Sequence, residues 1–350
     1  MKINNPENII VRMPNWLGDL VMGTPVLKDL RDRWPQAKIT AMCQGKTGEL
    51  LLHDPNIDEI FSFTRPSGWL HREDSRNILN PLRHGEYDLG VLLTNSFSSA
   101  LWFWRGRVKN RIGFGGRLRD VLLSKAVPRP QNMESTHLVE VYKHILVPLG
   151  IPVSETAPKL YVAQEEAAKG RELLKRCRVP EGATIIGINP GAAYGTAKCW
   201  LPDRFRETAQ RLCQDPNVFV LFFGDPVGAP TVHGICSGLS EQVINLAGKT
   251  NLRELMALIQ LCDLFLTNDS GPMHIASALG TKLITLFGST NDIKTGPYSG
   301  GVVIHKRPSC SPCYKRVCPI DFRCMTQITV DEVLNQIDDL LHQKSGASSR

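Results

Sequence analysis

The 350-residue chain has no apolar run long enough to cross a bilayer as a helix, which takes about 20 residues. Its opening segment, MKINNPENIIVRMP, lacks the long apolar stretch and small-residue cleavage site of a secretory leader, so the protein is expected to stay in the cytoplasm. No strand-like segment is followed by GxGxxG, which disfavours a nicotinamide dehydrogenase. There is no internal repeat, and low complexity is confined to the tail KSGASSR. Acidic residues are nearly missing from 101–130. There Asp120 alone opposes Arg105, Arg107, Lys109, Arg111, Arg117, Arg119, Lys125 and Arg129, and eight positive charges less one negative leave the window at +7. Clustered guanidinium groups suit phosphates and carboxylates, so an anionic substrate or an anionic membrane surface is implied; the structural alternative is a solvated basic face. No nucleic-acid partner is expected.

What the chain does have is 42% apolar content and length for two domains. Short β-rich runs alternate with amphipathic stretches: ENIIVR then 19–34, AKITAMC then 47–53, YDLGVLL then 97–104. A second series runs ATIIGIN then 203–213, NVFVLFF then 227–239, DLFLTN then 272–279, and TKLITLF then a Gly/Ser/Asn loop. Such alternation predicts an α/β fold with a mostly parallel, doubly wound sheet, here twice over. The Pro-rich, aperiodic segment 147–160 separates the series, which gives domains at 1–160 and 161–325, followed by a helix and tail over 326–350. Capping-box spacing marks helix starts at Asn251 with Glu254 and at Thr329 with Glu332.

Ligands of parallel sheets bind beyond the carboxyl ends of the strands, so the loops there carry the chemistry. After the first strand, Gly18 permits a turn and Asp19 falls in the first turn of the next helix. It either caps backbone N–H groups or faces the cleft as a general base. The loop 188–200, INPGAAYGTAKCW, admits neither GxGxxG nor GxxxxGK[ST]. Asn189 ends its strand, Gly191 and Gly195 allow close backbone approach, and Lys198 is a compact charge able to neutralise a phosphate. In NDSGPMHIASALG, Pro272 favours a helix start, so backbone N–H groups at Ser270, Gly271 and Met273 can meet an anion. Asp269 beside them would repel pyrophosphate unless it accepts hydrogen bonds from sugar hydroxyls. His274 either donates to phosphate or is a buried histidine with its own partner. Asp225 stands where acidic residues bind a ribose diol, and the loop 288–297 offers hydroxyls and glycine.

Of ten cysteines, Cys43, Cys177, Cys199, Cys213, Cys236 and Cys262 are scattered singly and read as reduced core thiols. Cys310, Cys313, Cys318 and Cys324 are clustered. Cys-x2-Cys is half of a structural zinc pattern, but the second pair is spaced by five residues, so reduced thiols in a compact loop are the favoured reading over zinc.

With RMPNWLGD, NPGAAYGTAKCW, NDSGPMHIASALG and LFGSTNDIKTGP in this order, nearly the whole chain resembles the ADP-heptose–lipopolysaccharide heptosyltransferases of glycosyltransferase family 9. The likeness is greatest to the members that add the second inner-core heptose. It implies a GT-B fold of two Rossmann-like domains facing a central cleft, with the acceptor glycolipid on the first, ADP-heptose on the second, and the final helix over 329–343 crossing back to the first. It implies Asp19 as the base, Lys198 on the donor phosphates, Asp269 at the donor heptose, and Gly271 and His274 at the matching helix start. Asp225 stands where relatives often carry glutamate toward the adenosine ribose. Asn95, Arg105, Arg107, Arg111, Arg117 and Arg119 would meet the inner-core acceptor, and the same basic patch could rest on the anionic inner leaflet of the cytoplasmic membrane. Because Lys198 and the 270–273 backbone can meet the charge on departing ADP, no metal is required, although a divalent ion could stimulate. The rival readings are another acceptor (the first inner-core step or a protein serine) and a non-catalytic nucleotide-binding protein on the same frame.

Overall fold

Apolar runs buried on both faces build two six-stranded sheets in which every pairing is parallel. The computed structural model describes residues 5–64 and 72–342, with every side chain in that span except those of 72–75 and 117. The chain divides into two units, Met1–Tyr161 and Val162–Arg350.

In the first unit the strands are β1 (Asn8–Arg12), β2 (Lys38–Gln44), β3 (Glu59–Phe63), β4 (Leu89–Leu92), β5 (Asn110–Phe114) and β6 (Lys125–Val127), in the order β3-β2-β1-β4-β5-β6. The second contains β7 (Thr184–Asn189), β8 (Val218–Phe222), β9 (Val243–Asn245), β10 (Leu264–Asn268), β11 (Leu283–Phe287) and β12 (Val302–His305), in the order β12-β11-β10-β7-β8-β9. Counted within each unit, both sheets follow the doubly wound order 3-2-1-4-5-6. Chain direction across the sheet therefore reverses between β1 and β4 and again between β7 and β10, and these switch points are where such folds open a ligand crevice.

Helices cover the sheets by burying one stripe each. Pro202–Leu212 buries Phe205, Ala209 and Leu212 in the second core beside Trp200, whose ring meets Phe205 edge-on at 5.0 Å. The helix Leu252–Leu261 starts with the expected reciprocal box between Asn251 and Glu254. At the last helix, Val330–His342, half of the expected box forms: the Thr329 hydroxyl accepts from the Glu332 N–H at 3.2 Å, while the Glu332 carboxylate pairs with Lys306 at 2.7 Å.

That last helix packs on the second unit. Val330, Val333 and Ile337 are buried in the core of the second unit, Asp331 pairs with Arg211 at 2.6 Å, and the Leu340 carbonyl accepts from Lys282 at 2.7 Å. Its apolar stripe at i, i+3 and i+7 is thus matched to the core of the second unit.

Candidate active site

At the second switch point the strands β7 and β10 end side by side, with Asn189 in register with Thr267. The buried Asn189 amide donates to the Gly191 carbonyl at 3.0 Å, the Thr267 hydroxyl at 3.2 Å and the Ser270 hydroxyl at 3.4 Å. The next strand residue, Asn268, is fully buried and grips the loop at both ends. Its amide donates to the Pro190 carbonyl at 2.7 Å and its carbonyl accepts from the Trp200 N–H at 2.9 Å. The loop 190–200 is therefore tied at both ends. A Cβ on Gly191 would meet nothing within 4 Å, so this part of the loop borders open space. Gly195 is small for another reason: a Cβ there would come within 2.4 Å of the Arg316 carbonyl oxygen, so the close approach is to protein backbone.

Lys198 ends the loop with its ammonium 2.5 Å from Asp269, and both side chains are largely buried, at 14% and 5% exposure. Asp269 also accepts from the Thr290 hydroxyl at 2.5 Å, and Lys198 lies over the Tyr194 ring at 5.0 Å. The acid and the base expected to act on different parts of a ligand are thus held as one pair. Beside them the helix Gly271–Leu279 starts at Ser270, which supplies no side-chain cap because its hydroxyl bonds Thr267 at 2.9 Å. The first-turn N–H groups of Gly271 and Met273 have no intrahelical acceptor, and Pro272 has no N–H to leave orphaned. The Met273 side chain is core, with its sulfur accepting from Thr285. His274 is buried at 6% exposure within the same helix. Asp225 is exposed, and one of its oxygens accepts from the Gly228 N–H at 2.7 Å, which shapes the turn after β8.

In the first unit, Asp19 is half-buried in the first turn of the helix Leu17–Arg33, after an N-cap, Trp16, that makes no side-chain cap. Tyr142 lies within its field: burial pushes the phenol well above its ordinary pKa, and the Asp19 charge adds to this. The turn leading to Asp19 is stiffened by Arg12 at the end of β1. This guanidinium is buried, donates to the Met13 carbonyl and the Asn15 side chain, and stacks over Phe63 at 4.6 Å. Desolvation lowers its pKa to about 10, and burial pushes neighbouring Cys43 up to about 12.

The basic window divides. Arg105 and Arg107 are exposed, as are Lys125, Arg129 and Asn95. Arg119 is buried, donating to the Phe114 and Thr94 carbonyls at 2.7 Å and to Asn95 at 3.4 Å, and desolvation lowers its pKa to about 10. Arg111 donates to the Leu122 carbonyl at 2.7 Å and the Val108 carbonyl at 2.5 Å, and Lys109 pairs with Asp88. So Arg111 and Arg119 tie loops around β5 together and are not surface ligands as expected. The Arg117 side chain lies outside the described residues.

The model of glycosyltransferase family 9 (heptosyltransferase) matches residues 76–322. The chain belongs to that family. It is 32% identical to lipopolysaccharide heptosyltransferase 2 of Salmonella typhimurium, with 83% of this chain and 85% of that one covered. It is 29% identical to lipooligosaccharide heptosyltransferase 2 of Haemophilus influenzae over 85% and 88%. The solved structure of Escherichia coli ADP-heptose lps heptosyltransferase II superposes with a TM-score of 0.80 at 28% identity, covering 97% of this chain and all of that one. The two doubly wound units are thus those of a GT-B glycosyltransferase. For this family 9 member, sequence reading singled out the charged residues of the donor loop. It missed Asn268, Thr290, Arg12 and the Arg316 backbone; the only signal for Asn268 was its place as the last residue of a strand-like run.

Proposed function

We propose that the protein transfers heptose from ADP-heptose to a heptose hydroxyl of the lipopolysaccharide inner core, as the second heptose addition. The observation carrying the donor half is the β7/β10 switch point, where Lys198 paired with Asp269 stands next to an uncapped helix start. A pyrophosphate there receives N–H groups from Gly271 and Met273 and a charge from Lys198, while Asp269 accepts from sugar hydroxyls. Asp225 serves the ribose. Asp19 accepts the proton of the acceptor hydroxyl as its oxygen bonds the anomeric carbon; the bond from that carbon to the phosphate oxygen breaks, ADP leaves, and configuration inverts. This chemistry requires no metal.

The acceptor half rests on the named relatives and on the exposed part of the basic window, Arg105 and Arg107 with Asn95, which suit acidic sugars and phosphates. Among the described residues no helix is long and apolar enough to cross a membrane. We therefore place the protein at the cytoplasmic face as a peripheral enzyme.

The deciding experiment measures ADP release from ADP-heptose with acceptors carrying no, one or two inner-core heptoses. Release confined to the one-heptose acceptor is expected. Release with the heptose-free acceptor alone assigns the first step instead, and no release with any of the three, despite donor binding, removes this acceptor class.

A further inference from the structure

Four thiols of the second unit have no part in the transfer reaction. Cys310, Cys313, Cys318 and Cys324 line a single cavity of about 200 Å³, together with Ser289, Lys315 and Arg323. All four are free cysteines. Their spacing favoured reduced thiols over a metal; three structural observations reverse that preference.

The first is the loop itself. Residues 306–322 form neither helix nor strand, and Tyr314, Val317 and Ile320 are exposed. Long structureless loops inside a compact unit are uncommon, and one that buries so little apolar surface needs another constraint. Yet this loop supports the donor site. The Arg316 carbonyl accepts from the Ala197 N–H at 2.9 Å, the Tyr314 carbonyl accepts from the Tyr194 hydroxyl at 2.9 Å, and the Tyr314 N–H donates to the Ser289 carbonyl at 2.7 Å.

The second is Ser289. It is 2% exposed, it lines the cavity, and its hydroxyl oxygen has no hydrogen-bond partner. A buried hydroxyl left this way costs about 1–3 kcal/mol. A metal-bound thiolate is an acceptor, and hydrogen bonds of this kind from the surrounding shell are usual at thiolate centres.

The third is charge. Four thiolates around a divalent ion leave a net charge of −2, and two cations, Lys315 and Arg323, line the same cavity, although Arg323 also pairs with Asp321.

We propose that Cys310, Cys313, Cys318 and Cys324 form a tetrathiolate site for one soft divalent metal ion, zinc or iron(II), that fixes the 306–322 loop against the donor loop. Binding releases four protons to solvent and transfers no electrons. With four protein ligands and no open position the site is structural. Among the described residues no three His, Cys, Asp or Glu side chains are already set around a metal-sized centre, so loading draws the thiols inward across the cavity. Cys310 is exposed on the loop.

The bracing role rests on the donor-site reading above; the metal site does not. The test is elemental analysis of the full chain purified without chelator from zinc- and iron-supplemented cells, combined with ADP titration calorimetry. About one zinc or iron per chain is expected, and the element found distinguishes the two. Cobalt(II) exchanged into the wild-type protein should give intense near-ultraviolet sulfur-to-cobalt absorption. Cys313→Ser with Cys318→Ser should lose the metal and weaken ADP binding about tenfold, while Cys177→Ser keeps both. Should the double variant fail to fold, mercurial release of metal from the wild type, followed by a colorimetric chelator, gives the same count. Less than about a tenth of an ion per chain, with all four thiols open to alkylation, overturns the site. A stoichiometric ion whose removal leaves ADP affinity unchanged overturns the bracing role. A stoichiometric ion in a wild-type protein that binds no ADP supports the site and sinks the donor reading instead.

Discussion

At the level of single residues, the mechanism proposed above makes the buried Lys198–Asp269 pair a link between catalysis and stability. With Asp269 at 5% side-chain exposure, Lys198→Ala leaves a buried carboxylate without its cation, a change that typically costs about 3–5 kcal/mol. The expected outcome is lower thermal stability together with roughly 10²-fold slower turnover, since the proposed donor to the leaving group is also lost. Lys198→Met with Asp269→Asn removes both charges and should recover most of the stability but none of the activity. If the double variant is as unstable as the single one, the pair is not the source of the loss. Asp19→Asn behaves differently: a half-buried side chain in a first helical turn contributes little to the core, so turnover should fall about 10²–10⁴-fold while ADP affinity, measured by calorimetry, is unchanged. Near-normal turnover in that variant would make Asp19 a helix-end residue only. The placement of Asp19, Lys198 and Asp269 after strand ends was legible in the sequence because charge stands out in such loops. Asn268 was not, because its importance lies in gripping Pro190 and Trp200, partners 78 and 68 residues away that only the β7/β10 pairing brings together.

At the level of elements, one carboxylate joins three strands of the first sheet. Asp88, just before β4, accepts from the Glu7 N–H at 2.9 Å and the Asn8 N–H at 3.1 Å at the start of β1, and from Lys109 at 2.8 Å before β5. Desolvation acts to raise its pKa, but these hydrogen bonds, led by that of Lys109, outweigh it and hold the carboxyl below its ordinary range. A depressed folded-state value means that the contribution to stability is present above the unfolded value, near pH 4, and is lost as pH falls through the folded one. Asp88→Asn should therefore be less stable than wild type at pH 7, with the gap closing toward about pH 3 in denaturant melts. A gap of equal size at both pH values would assign the effect to shape and not to charge. The legible elements were the strands buried on both faces, such as VFVLF and LITLF, whose unbroken apolar runs admit few other readings. β3, β6, β9 and β12 are strands of three to five residues toward the sheet edges, where apolar patterning weakens. β5, NRIGF, was concealed inside the basic window, which is why Arg111 and Arg119 looked like surface charges.

For the whole molecule, the charge distribution leads to the last prediction. Lys and Arg number 41 against 34 Asp and Glu, a net +7, and the window 101–130 alone carries +7, so the other 320 residues sum to zero. The net positive charge thus sits in this stretch of the first unit, which makes it the candidate for attraction to an anionic surface. Within it, the exposed apolar side chains Trp104, Leu118 and Val121 accompany the exposed cations Arg105, Arg107, Lys125 and Arg129. Basic groups near an anionic bilayer contribute about 1 kcal/mol each, and exposed apolar side chains add burial at the interface. The protein should therefore sediment with vesicles containing anionic lipid and be released by salt. Replacing Arg105, Arg107, Lys125 and Arg129 together with Gln should weaken binding by about 10²-fold or more at unchanged melting temperature. Arg111→Gln or Arg119→Gln should instead lower the melting temperature, because their guanidinium groups hold backbone carbonyls inside the unit. Vesicle binding that survives the fourfold change would mean that net charge is not what brings this enzyme to a lipid surface, and attention would pass to Trp104, Leu118 and Val121.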